Sequence, residues 1–501
     1  MSDGRRTTVR RGYPPAALLV LVPAVFVLLL HQRHFDYTAD DAFITYRFAR
    51  NWAAGHGPVF NPGEAPVEGY TTFTWMAWMS LHFRSGLDNP QFWGALWGLL
   101  CAGGCLFLVA RRPPDGEPGL AGSWFLAAAG PFAFWAGAGM ETPLFALLLL
   151  LFVLPAADMR EVTWRTYALG GLGTALVMTR PDGAPVVAAV GAYLLVRRRR
   201  RVALVVSATA AIGYLPYFMW RWSYYDSMLP NTLYAKSGDW PALAGAGLLY
   251  WRDFLLWCGA PLAPLLWLMK VRPVSNRSRL IIMVLVIQGL YVLLVGGDFM
   301  PYFRFMAPLL PLVAILLDET VSAVPWAASK RLPFTLLVAA AALWPSFTGA
   351  EYRQYRLEQD ILFPRWEAVG RRLGEVFPAG TRVACTAIGR IPYFSGLPTL
   401  DMLGLTDRHI AHVKADFDPS RRWHEKHDGD YVLRRRPDIL LVGNGLVTKQ
   451  PSIDFQATVQ EMDLFADMDR FDRLYRPVNI RLPDGRYLAF FAGTWFTSDR
   501  H

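Results

Sequence analysis

Apolar runs separated by short polar segments recur along the chain as far as Ala350. Eleven of them approach the roughly 20 apolar residues that a helix needs to cross a bilayer core about 30 Å thick. They are residues 15–31, 91–110, 119–136, 143–157, 166–179, 183–196, 202–220, 245–268, 280–296, 305–318 and 332–348. The pattern predicts a mainly α polytopic membrane bundle of about 11 transmembrane helices over residues 1–349, with a long first outer loop at residues 32–90.

The pattern changes after Ala350, where the apolar runs become short and the charges mix. The segment QYRLEQDILFPRWEAVGRRLGEVF has a helical period that is broken near Pro364, and HEKHDGDYVLRRRPD predicts another helix. TRVACTAIG, LPTLDMLG and PDILLVGN are short apolar runs beside turn residues, which predict buried strands. Residues 350–501 are therefore expected to form a C-terminal soluble α/β domain of ordinary size.

Composition and charge agree with a membrane protein, since 53% of the 501 residues are apolar and the formal net charge is +10. The basic residues cluster in alternate loops of the predicted bundle: Arg5, Arg6, Arg10 and Arg11; Arg111 and Arg112; Arg160 and Arg165; Arg197 to Arg201; Lys270 to Arg279; Lys330 and Arg331. Positive charge marks cytoplasmic loops, so we predict a multi-pass protein of the bacterial inner (plasma) membrane with a cytoplasmic N-terminus and an extracytoplasmic C-terminal domain. The lipid bilayer is then a partner, and nucleic acid is excluded.

The same orientation places five polar segments on the outer face of the membrane. Their candidate site residues are Asp40, Asp41, His56 and Glu68 in the first loop, Glu141 in GAGMETP, Arg180 and Asp182 in MTRPDG, Asn231 and Lys236 in MLPNTLYAK, and Asp298 and Arg304 in GGDFMPYFR. Chemistry needs positioned groups from several elements, so this convergence predicts one functional site at the outer end of the bundle.

The acidic pair of the first loop also has a structural interpretation. Thr38 could cap the following helix with Asp41 at the capping-box position. Neighbouring side chains on a helix diverge by about 100°, however, so Asp40 and Asp41 cannot both serve that purpose. The four-residue apolar spacing from Ile44 to Trp52 predicts an amphipathic helix that lies on the membrane surface.

The other candidates have structural alternatives as well. Glu141 could simply begin a helix, Arg180 could extend to the membrane interface, and Asp298 could form an ion pair with Arg304. His56 is a candidate ligand or base, although a loop histidine often serves as a hydrogen-bonding spacer. The histidines of HEKH, His424 and His427, lack zinc-site spacing and are expected to cap a surface helix. A divalent cation could bridge acids and a phosphate, but no ligand set demands one.

Several motifs together resemble a known family. DDAFITYRFARNWAAGHGPVFNPGEAPVEGYT resembles the first outer loop of polytopic glycosyltransferases of the GT-C fold class, most closely the branch of the mycobacterial terminal arabinofuranosyltransferase of cell-wall arabinan. The likeness continues through GMETPLFALLL, TRPDG, LPNTLYAK and GGDFMPYFRFMAPLLPL, and then through YFSGLPTLDMLGLTDRHIA and HEKHDGDYVLRRRPD. It covers most of the chain.

The resemblance implies a transferase that moves a sugar, arabinofuranose as the best guess, from a polyprenyl-phosphate donor to a cell-envelope glycan acceptor outside the membrane. Family acids correspond to Asp40 and Asp41, and we favour Asp41 as the catalytic base. The leaving phosphate needs cations, for which Arg304, Arg180 and Lys236 are candidates. Further substrate contacts are expected from Asp298, Glu141, Asn231, Glu68 and His56.

Two other functions fit the same sequence. A lipid-linked sugar transporter would place ionisable groups near the bilayer midplane, whereas the proposed spans here are almost free of charge. A non-catalytic cell-envelope or motility assembly factor could retain a transferase scaffold, because folds often outlive their original activity.

Overall fold

A computed structural model describes residues 15–111, 119–236, 240–270, 275–323, 328–415 and 424–496. The predicted cytoplasmic residues Arg5, Arg6, Arg10 and Arg11 lie outside these ranges, as does Arg112. Helices α1–α15 form the part of the chain before Ala350 and strands appear only after it, within the described ranges.

The helices of the first part follow the predicted apolar runs. They are α1 (Pro15–Phe35), α2 (Asp40–Ala53), α3 (Phe73–Arg84), α4 (Pro90–Ala110), α5 (Leu120–Ala128), α6 (Gly130–Gly137), α7 (Thr142–Asp158), α8 (Trp164–Thr179), α9 (Gly183–Val196), α10 (Arg200–Tyr225), α11 (Asn231–Ala235), α12 (Trp240–Lys270), α13 (Asn276–Val295), α14 (Leu310–Ala323) and α15 (Ala328–Leu343). The run 119–136 is divided between α5 and α6 at Ala129, whose backbone is extended, and Pro131 follows in the first turn of α6, where its missing N–H is tolerated.

Within the described residues, four helices are long and apolar enough to cross a membrane: α1 from Leu18, α4, α10 and α13. Two bent pairs raise the number to six, and the sharper bend, of 115°, lies between α6 and α7. The remaining apolar helices are shorter or carry more charge. A mainly helical membrane bundle is therefore present, and the number of eleven spans remains a prediction.

Close helix packing in the bundle depends on small residues. A Cβ atom at Gly98 of α4 would lie 2.2 Å from the carbonyl oxygen of Ala136 in α6. At Gly122 of α5 it would lie 2.3 Å from the carbonyl oxygen of Ala314 in α14. Membrane helices associate largely through such close backbone contacts, because lipid gives no hydrophobic drive for association.

The second part of the chain contains short helices and a sheet. Its elements are α16 (Gly349–Leu357), a π-helical turn (Glu358–Leu362), α17 (Phe363–Val376), β1 (Val383–Cys385), α18 (Arg390–Ser395), β2 (Thr399–Asp401), α19 (Arg408–Ala411), α20 (Gly429–Arg435), β3 (Ile439–Leu440), β4 (Leu446–Thr448), α21 (Met468–Leu474), β5 (Tyr475–Arg481) and β6 (Tyr487–Gly493). The predicted interruption near Pro364 corresponds to the π-helical turn, which ends at Leu362, two residues before this proline.

The sheet combines parallel and antiparallel strands. Strands β2, β1 and β3 are parallel neighbours, as expected for strands joined through helices, and they are the three that the sequence predicts. Strand β6 runs antiparallel to β3 and β4 along one edge and to β5 along the other. The sequence analysis missed β4, β5 and β6, although the turn residues Pro483 to Gly485 between β5 and β6 are a hairpin signal.

Helix α2 is enclosed between the bundle and the C-terminal region, so the prediction of a membrane-surface helix is wrong. Nine of its fourteen residues are buried, among them Arg47. The guanidinium of Arg47 donates hydrogen bonds to the carbonyl oxygens of Phe60, Pro392 and Leu397. The C-terminal region therefore covers Arg47, which the sequence pattern had placed on a water-facing side of the helix.

The start of α2 also differs from the expectation. Its N-cap position is Ala39, which offers no side-chain hydrogen bond, so Thr38 does not form the predicted capping box with Asp41. The backbone N–H of Ala39 instead donates to the carbonyl oxygen of Ala138, next to the GAGM turn. The acidic pair is therefore available for other contacts.

Candidate active site between the bundle and the C-terminal region

A cavity of about 560 Å³ collects residues from all five polar segments singled out in the sequence. Its charged lining consists of Asp41, Glu141, Arg180, Asp182, Lys236, Asp298 and Arg304. Leu405 of the C-terminal region also lines it. The segments that the sequence placed on one face of the membrane are thus neighbours in space.

Two of the segments are positioned by unusual backbone conformations. Gly139 has a φ of +78°, and a Cβ atom there would lie 2.4 Å from the Tyr46 hydroxyl, which donates to the Gly139 carbonyl. This close approach places Glu141 beside α2. Tyr302 and Phe303 precede Arg304 and also lie in the left-handed region, which costs of order 1 kcal/mol for each non-glycine residue. Such strain is a feature of functional loops.

The two acids of the first loop, Asp40 and Asp41, have different surroundings. The carboxylate of Asp40 accepts hydrogen bonds from the backbone N–H groups of Gly389, at 3.2 Å, and Arg390, at 2.9 Å. Asp41 lines the large cavity. Burial raises the pKa of Asp41, while the positive charges of Lys236 and Arg304 oppose that rise. Asp41 is therefore the acid that can meet a ligand in this cavity.

The cations of the cavity differ in how they are neutralised. Arg304 Nε lies 2.6 Å from Asp298 Oδ2, which is the ion pair considered as a structural alternative. Lys236 Nζ lies 6.0 Å from the ring centre of Phe299. Burial, followed by the nearby charge of Arg304, lowers the pKa of Lys236. A bound anion near Lys236 would oppose this lowering of its pKa.

Arg180 is enclosed by two carboxylates, so the structural alternative in which it extends to the membrane interface is not observed. Its guanidinium lies 3.0 Å from Glu141 Oε1 and 2.9 Å from Asp182 Oδ1, and all three side chains are buried. Glu141 and Asp182 stand at the N-cap positions of α7 and α9 without forming a capping hydrogen bond. This triad joins two of the segments, GAGMETP and MTRPDG, on the cavity wall.

Three predicted contacts lie outside the cavity lining. Glu68 is buried against Arg221 of α10, whose Nε lies 3.0 Å from Glu68 Oε2. The amide of Asn231 donates to carbonyl oxygens of the 404–407 loop, the nearest at 2.8 Å. His56 is exposed on the turn after α2. The sequence analysis assigned Glu68 and Asn231 to the site because they lie near other candidates in the chain. In the structure both side chains form hydrogen bonds with residues outside the cavity lining.

One side of the cavity is apolar and reaches the surface. Leu229, Leu233, Trp240, Leu243 and Leu294 contribute to this wall. Trp240 is 69% exposed and Leu294 49% exposed, so the wall continues into the surface that would face lipid tails. An elongated apolar ligand could therefore extend from the polar end of the cavity toward the membrane.

A second cavity, of about 270 Å³, shares Asp41 and Lys236 with the first. It lies against the C-terminal region and is also lined by Asp40, Glu358, Trp366, His424, Asn444 and Gln460, among others. The two cavities therefore meet at Asp41. Within the described ranges, no group of three or more His, Cys, Asp or Glu side chains is arranged to hold a metal ion.

The role expected for the HEKH histidines is not observed. His424 lines the second cavity and packs edge-on against Phe299, and burial followed by the charge of Lys236 lowers its pKa to about 4. His427 Nδ1 lies 3.0 Å from Asp463 Oδ2, while Asp428 caps α20 by accepting from the N–H of Tyr431. The turn residues DG after His427 were the available signal for the cap.

Sequence reasoning missed the residues that the C-terminal region adds to the site. Arg390 donates to the Thr38 carbonyl and contacts Asp40 through its backbone N–H, while Glu358 and Trp366 line the second cavity. These residues lie more than 300 positions beyond the acidic pair, and nothing in a single sequence links positions so far apart. Only the GRIPYF segment, with a glycine before a short helix, hinted at a close backbone approach.

Comparisons with known proteins agree with this architecture. Residues 350–495 match a family model described as a domain of unknown function (DUF8728). A protein of Corynebacterium glutamicum named terminal beta-(1->2)-arabinofuranosyltransferase is 30% identical over 57% of this chain and 48% of its own length. A protein of the same name from Mycobacterium tuberculosis is 28% identical over 56% of this chain and 52% of its own length. The chain thus spans about half the length of the curated relatives it matches.

Solved structures with the same fold cover nearly the whole chain. The crystal structure of ArnT from Cupriavidus metallidurans bound to undecaprenyl phosphate has a TM-score of 0.60 and 12% identity, and the match covers 95% of this chain and 98% of that one. The apo state of the same protein gives a TM-score of 0.57 and 13% identity over the same shares. The resemblance inferred from the loop motifs is thereby confirmed: this chain has the GT-C fold and is similar in sequence to two proteins named terminal beta-(1->2)-arabinofuranosyltransferase.

Proposed function

We propose that this protein is a membrane glycosyltransferase that transfers a sugar from a polyprenyl phosphate to a cell-envelope glycan on the outer side of the membrane. The observation that carries the proposal is the position of Asp41, where a large cavity lined by cations and apolar side chains meets a second, more acidic cavity. Arabinofuranose is the proposed sugar, because both curated relatives are named arabinofuranosyltransferases.

The large cavity suits a lipid phosphate. Arg304 and Lys236 supply positive charge at its polar end, and Arg180 supplies a further guanidinium that Glu141 and Asp182 already neutralise. Arg has the planar fork that matches phosphate oxygens, whereas Lys acts as a point charge. The apolar wall from Leu229 to Leu294 offers room for an isoprenoid chain, and the ArnT structure of the same fold was solved with undecaprenyl phosphate.

The transfer step needs one base and no second proton donor. An acceptor hydroxyl oxygen attacks the anomeric carbon of the donor, and the bond from that carbon to the phosphate oxygen breaks. Asp41 takes the hydroxyl proton, and the raised pKa that burial gives it makes it a stronger base than an exposed aspartate. The polyprenyl phosphate leaves with its charge facing Arg304 and Lys236, which stabilise it.

The remaining candidates have supporting roles in this proposal. Asp298 orients Arg304, and Glu141 orients Arg180. Glu68 and Asn231 hold the first loop and the LPN loop in place, which positions the apolar wall rather than contacting the sugar. We assign His56 no contact with substrate, because it lies on an exposed turn.

A transfer assay with purified protein tests the proposal. The protein in detergent is incubated with a panel of radiolabelled polyprenyl-phosphate sugars and an envelope glycan extract, and wild type is compared with Asp41→Asn and Asp40→Asn. We expect wild type to move label from one lipid to glycan, and Asp41→Asn to lower the rate at least 100-fold while still binding the lipid. Asp40→Asn is expected to lower the rate less, because Asp40 bonds to the backbone of Gly389 and Arg390 and thereby helps to hold the C-terminal region against α2.

The possible results separate the competing functions. Full activity of folded Asp41→Asn would refute the assignment of the base. Movement of label across proteoliposomes without any acceptor would favour a transporter. Absence of transfer from every donor, together with unchanged envelope assembly in cells that carry Asp41→Asn, would favour a non-catalytic scaffold.

A further inference from the structure

We infer that the second cavity binds the carbohydrate acceptor and that Glu358, presented by the π-helical turn between α16 and α17, positions the acceptor hydroxyl opposite Asp41. The inference rests on the proposed glycosyl transfer and adds the acceptor site to it.

Glu358 is held in place with acceptor capacity to spare. The hydroxyl of Tyr37 donates to Glu358 Oε2 at 2.5 Å, and Gln354 Nε2 donates to Glu358 Oε1 at 2.9 Å. A carboxylate can accept about four hydrogen bonds, so each oxygen keeps one lone pair for a ligand in the cavity that Glu358 lines. The π-helical turn is an irregularity that often marks functional sites in helices.

The rest of the cavity has the chemistry that sugars require. Trp366 and Phe363 supply aromatic surfaces, and Gln460 and Asn444 supply amide groups at the same cavity wall. Asn444 Oδ1 accepts from the backbone N–H of Thr386 and Ala387, an arrangement that fixes the orientation of its side chain. Apolar surfaces with a few fixed polar groups are typical of small-molecule sites. A sugar ring can pack its C–H face against the aromatic side chains while its hydroxyl groups bond to the polar groups.

Charge favours an acceptor over the donor phosphate in this cavity. Among the described residues, three carboxyl groups line it, from Asp40, Asp41 and Glu358, and they face the single ammonium group of Lys236. The larger cavity has four carboxyl groups, but three cations balance all but one of them. Lys236 is shared by both cavities, and His424 is neutral near pH 7 because burial lowers its pKa to about 4. The balance of charge is therefore less favourable for a phosphate here than in the larger cavity, while neutral sugar hydroxyls can donate to the carboxyl groups.

Burial raises the pKa of Glu358 to about 7, although the Tyr37 hydroxyl and the Gln354 amide oppose that rise. The charges facing Glu358 are those of Asp40 and Asp41, which raise its pKa further. Glu358 therefore becomes a full hydrogen-bond acceptor only as the pH rises past neutrality. Binding of the acceptor should strengthen over the same interval, and this dependence should vanish when Glu358 is replaced by glutamine.

The first test measures kinetics with Glu358→Gln and Asp360→Asn. Asp360 is a matched control, because it lies on the same turn but is exposed and paired with Arg356 at 2.7 Å. We expect Glu358→Gln to raise the KM for the acceptor about tenfold, which corresponds to one lost charge-assisted hydrogen bond, with the KM for the donor unchanged. Asp360→Asn should leave both within twofold. An acceptor KM equal to wild type, or a change in the donor KM alone, overturns the inference.

The second test separates this inference from the proposed function. A synthetic arabinofuranose oligosaccharide is titrated into Asp41→Asn, and Trp fluorescence reports its binding in the absence of any transfer. We expect binding that strengthens as Glu358 ionises, at a pH below that of wild type because the charge of Asp41 is absent, and that weakens about tenfold when Glu358→Gln is added. Equal binding by both proteins refutes the role of Glu358, even if wild type transfers sugar. Thermal unfolding of each variant identifies a loss that is due only to misfolding.

Discussion

Asp40 and Asp41 are adjacent in sequence but divide between two tasks. Asp40 accepts two backbone hydrogen bonds from the start of α18, and burial raises its pKa to about 6 despite the opposing charge of Arg390. Asp41 faces Lys236 and the cavity. Because adjacent side chains on a helix diverge by about 100°, an acidic pair can fasten a domain with one member and serve a site with the other.

The charge of Lys236 should set the pH at which Asp41 works. Among the charges that act on Asp41, Lys236 gives the largest lowering of its pKa. Removing it with Lys236→Met should therefore raise that pKa, so the loss of activity on acidification should occur at a higher pH than in wild type. The measurement is kcat/KM for the donor against pH at saturating acceptor, which keeps Glu358 occupied.

Lys236→Arg is the matched variant, because it keeps a positive charge near Asp41. Its acid limb should stay near that of wild type, even if the larger guanidinium lowers the rate. An acid limb that stays at the same pH in Lys236→Met would contradict the assignment of Asp41 as the titrating base.

Helix α2 shows how much a sequence pattern can and cannot predict about an element. The pattern correctly predicts a helix after the acidic pair, because the helix period is a local property of the chain. Its environment was misjudged, since Arg47 and Asn51 looked like a water-facing surface. Arg47 donates to Phe60, 13 positions away, and to Leu397 of the C-terminal region, while Asn51 donates to Val59. Burial by a distant segment leaves no local trace.

The same limit applies to the site. The five outer segments could be grouped from the sequence, because the alternating basic loops predict which side of the membrane each loop lies on. The triad of Arg180 and the pair of Arg304 with Asp298 were within reach of that reasoning. The second cavity was not, because Glu358, His424 and Asn444 depend on how the C-terminal region is docked.

Docking of α18 onto α2 should depend on Gly389. A Cβ atom at this position would lie 2.1 Å from the backbone oxygen of Asp40 and 2.4 Å from its Oδ2. Gly389→Ala should therefore push α18 away and weaken both hydrogen bonds to Asp40, at a cost of about 1–3 kcal/mol. We expect a lower thermal unfolding midpoint, faster proteolysis of the C-terminal region and reduced sugar transfer with donor binding retained.

Gly380→Ala provides the control for that substitution. Nothing lies within 4 Å of a Cβ atom at this exposed position before β1, so stability and transfer should match wild type. If Gly389→Ala proved equally neutral, the contact between α18 and Asp40 would not be a requirement for docking.

In the proposed transferase, Asp41 joins the apolar groove to the cavity beside the C-terminal region. The apolar wall from Leu229 to Leu294 leads from the surface to Arg304 and Lys236, and the C-terminal region completes the opposite side through Glu358 and Leu405. A donor that arrives from the membrane and an acceptor that arrives from the envelope can thus reach Asp41 by separate routes. This division requires the C-terminal region to lie outside the cytoplasm.

That orientation is a prediction with a direct chemical test. The hairpin turn between β5 and β6 is exposed at Asp484, and the basic loop between α9 and α10 is exposed at Arg198. Positive charge retains loops in the cytoplasm, so Asp484→Cys should react with a membrane-impermeant maleimide in intact cells, and Arg198→Cys only after permeabilisation. The native cysteines Cys105, Cys258 and Cys385 are buried, and the unsubstituted protein measures the background from Cys101. Labelling of Arg198→Cys in intact cells, with Asp484→Cys protected, would place the acidic pair on the cytoplasmic side. The acceptor would then have to be a cytoplasmic molecule, because Asp41 would no longer face the envelope.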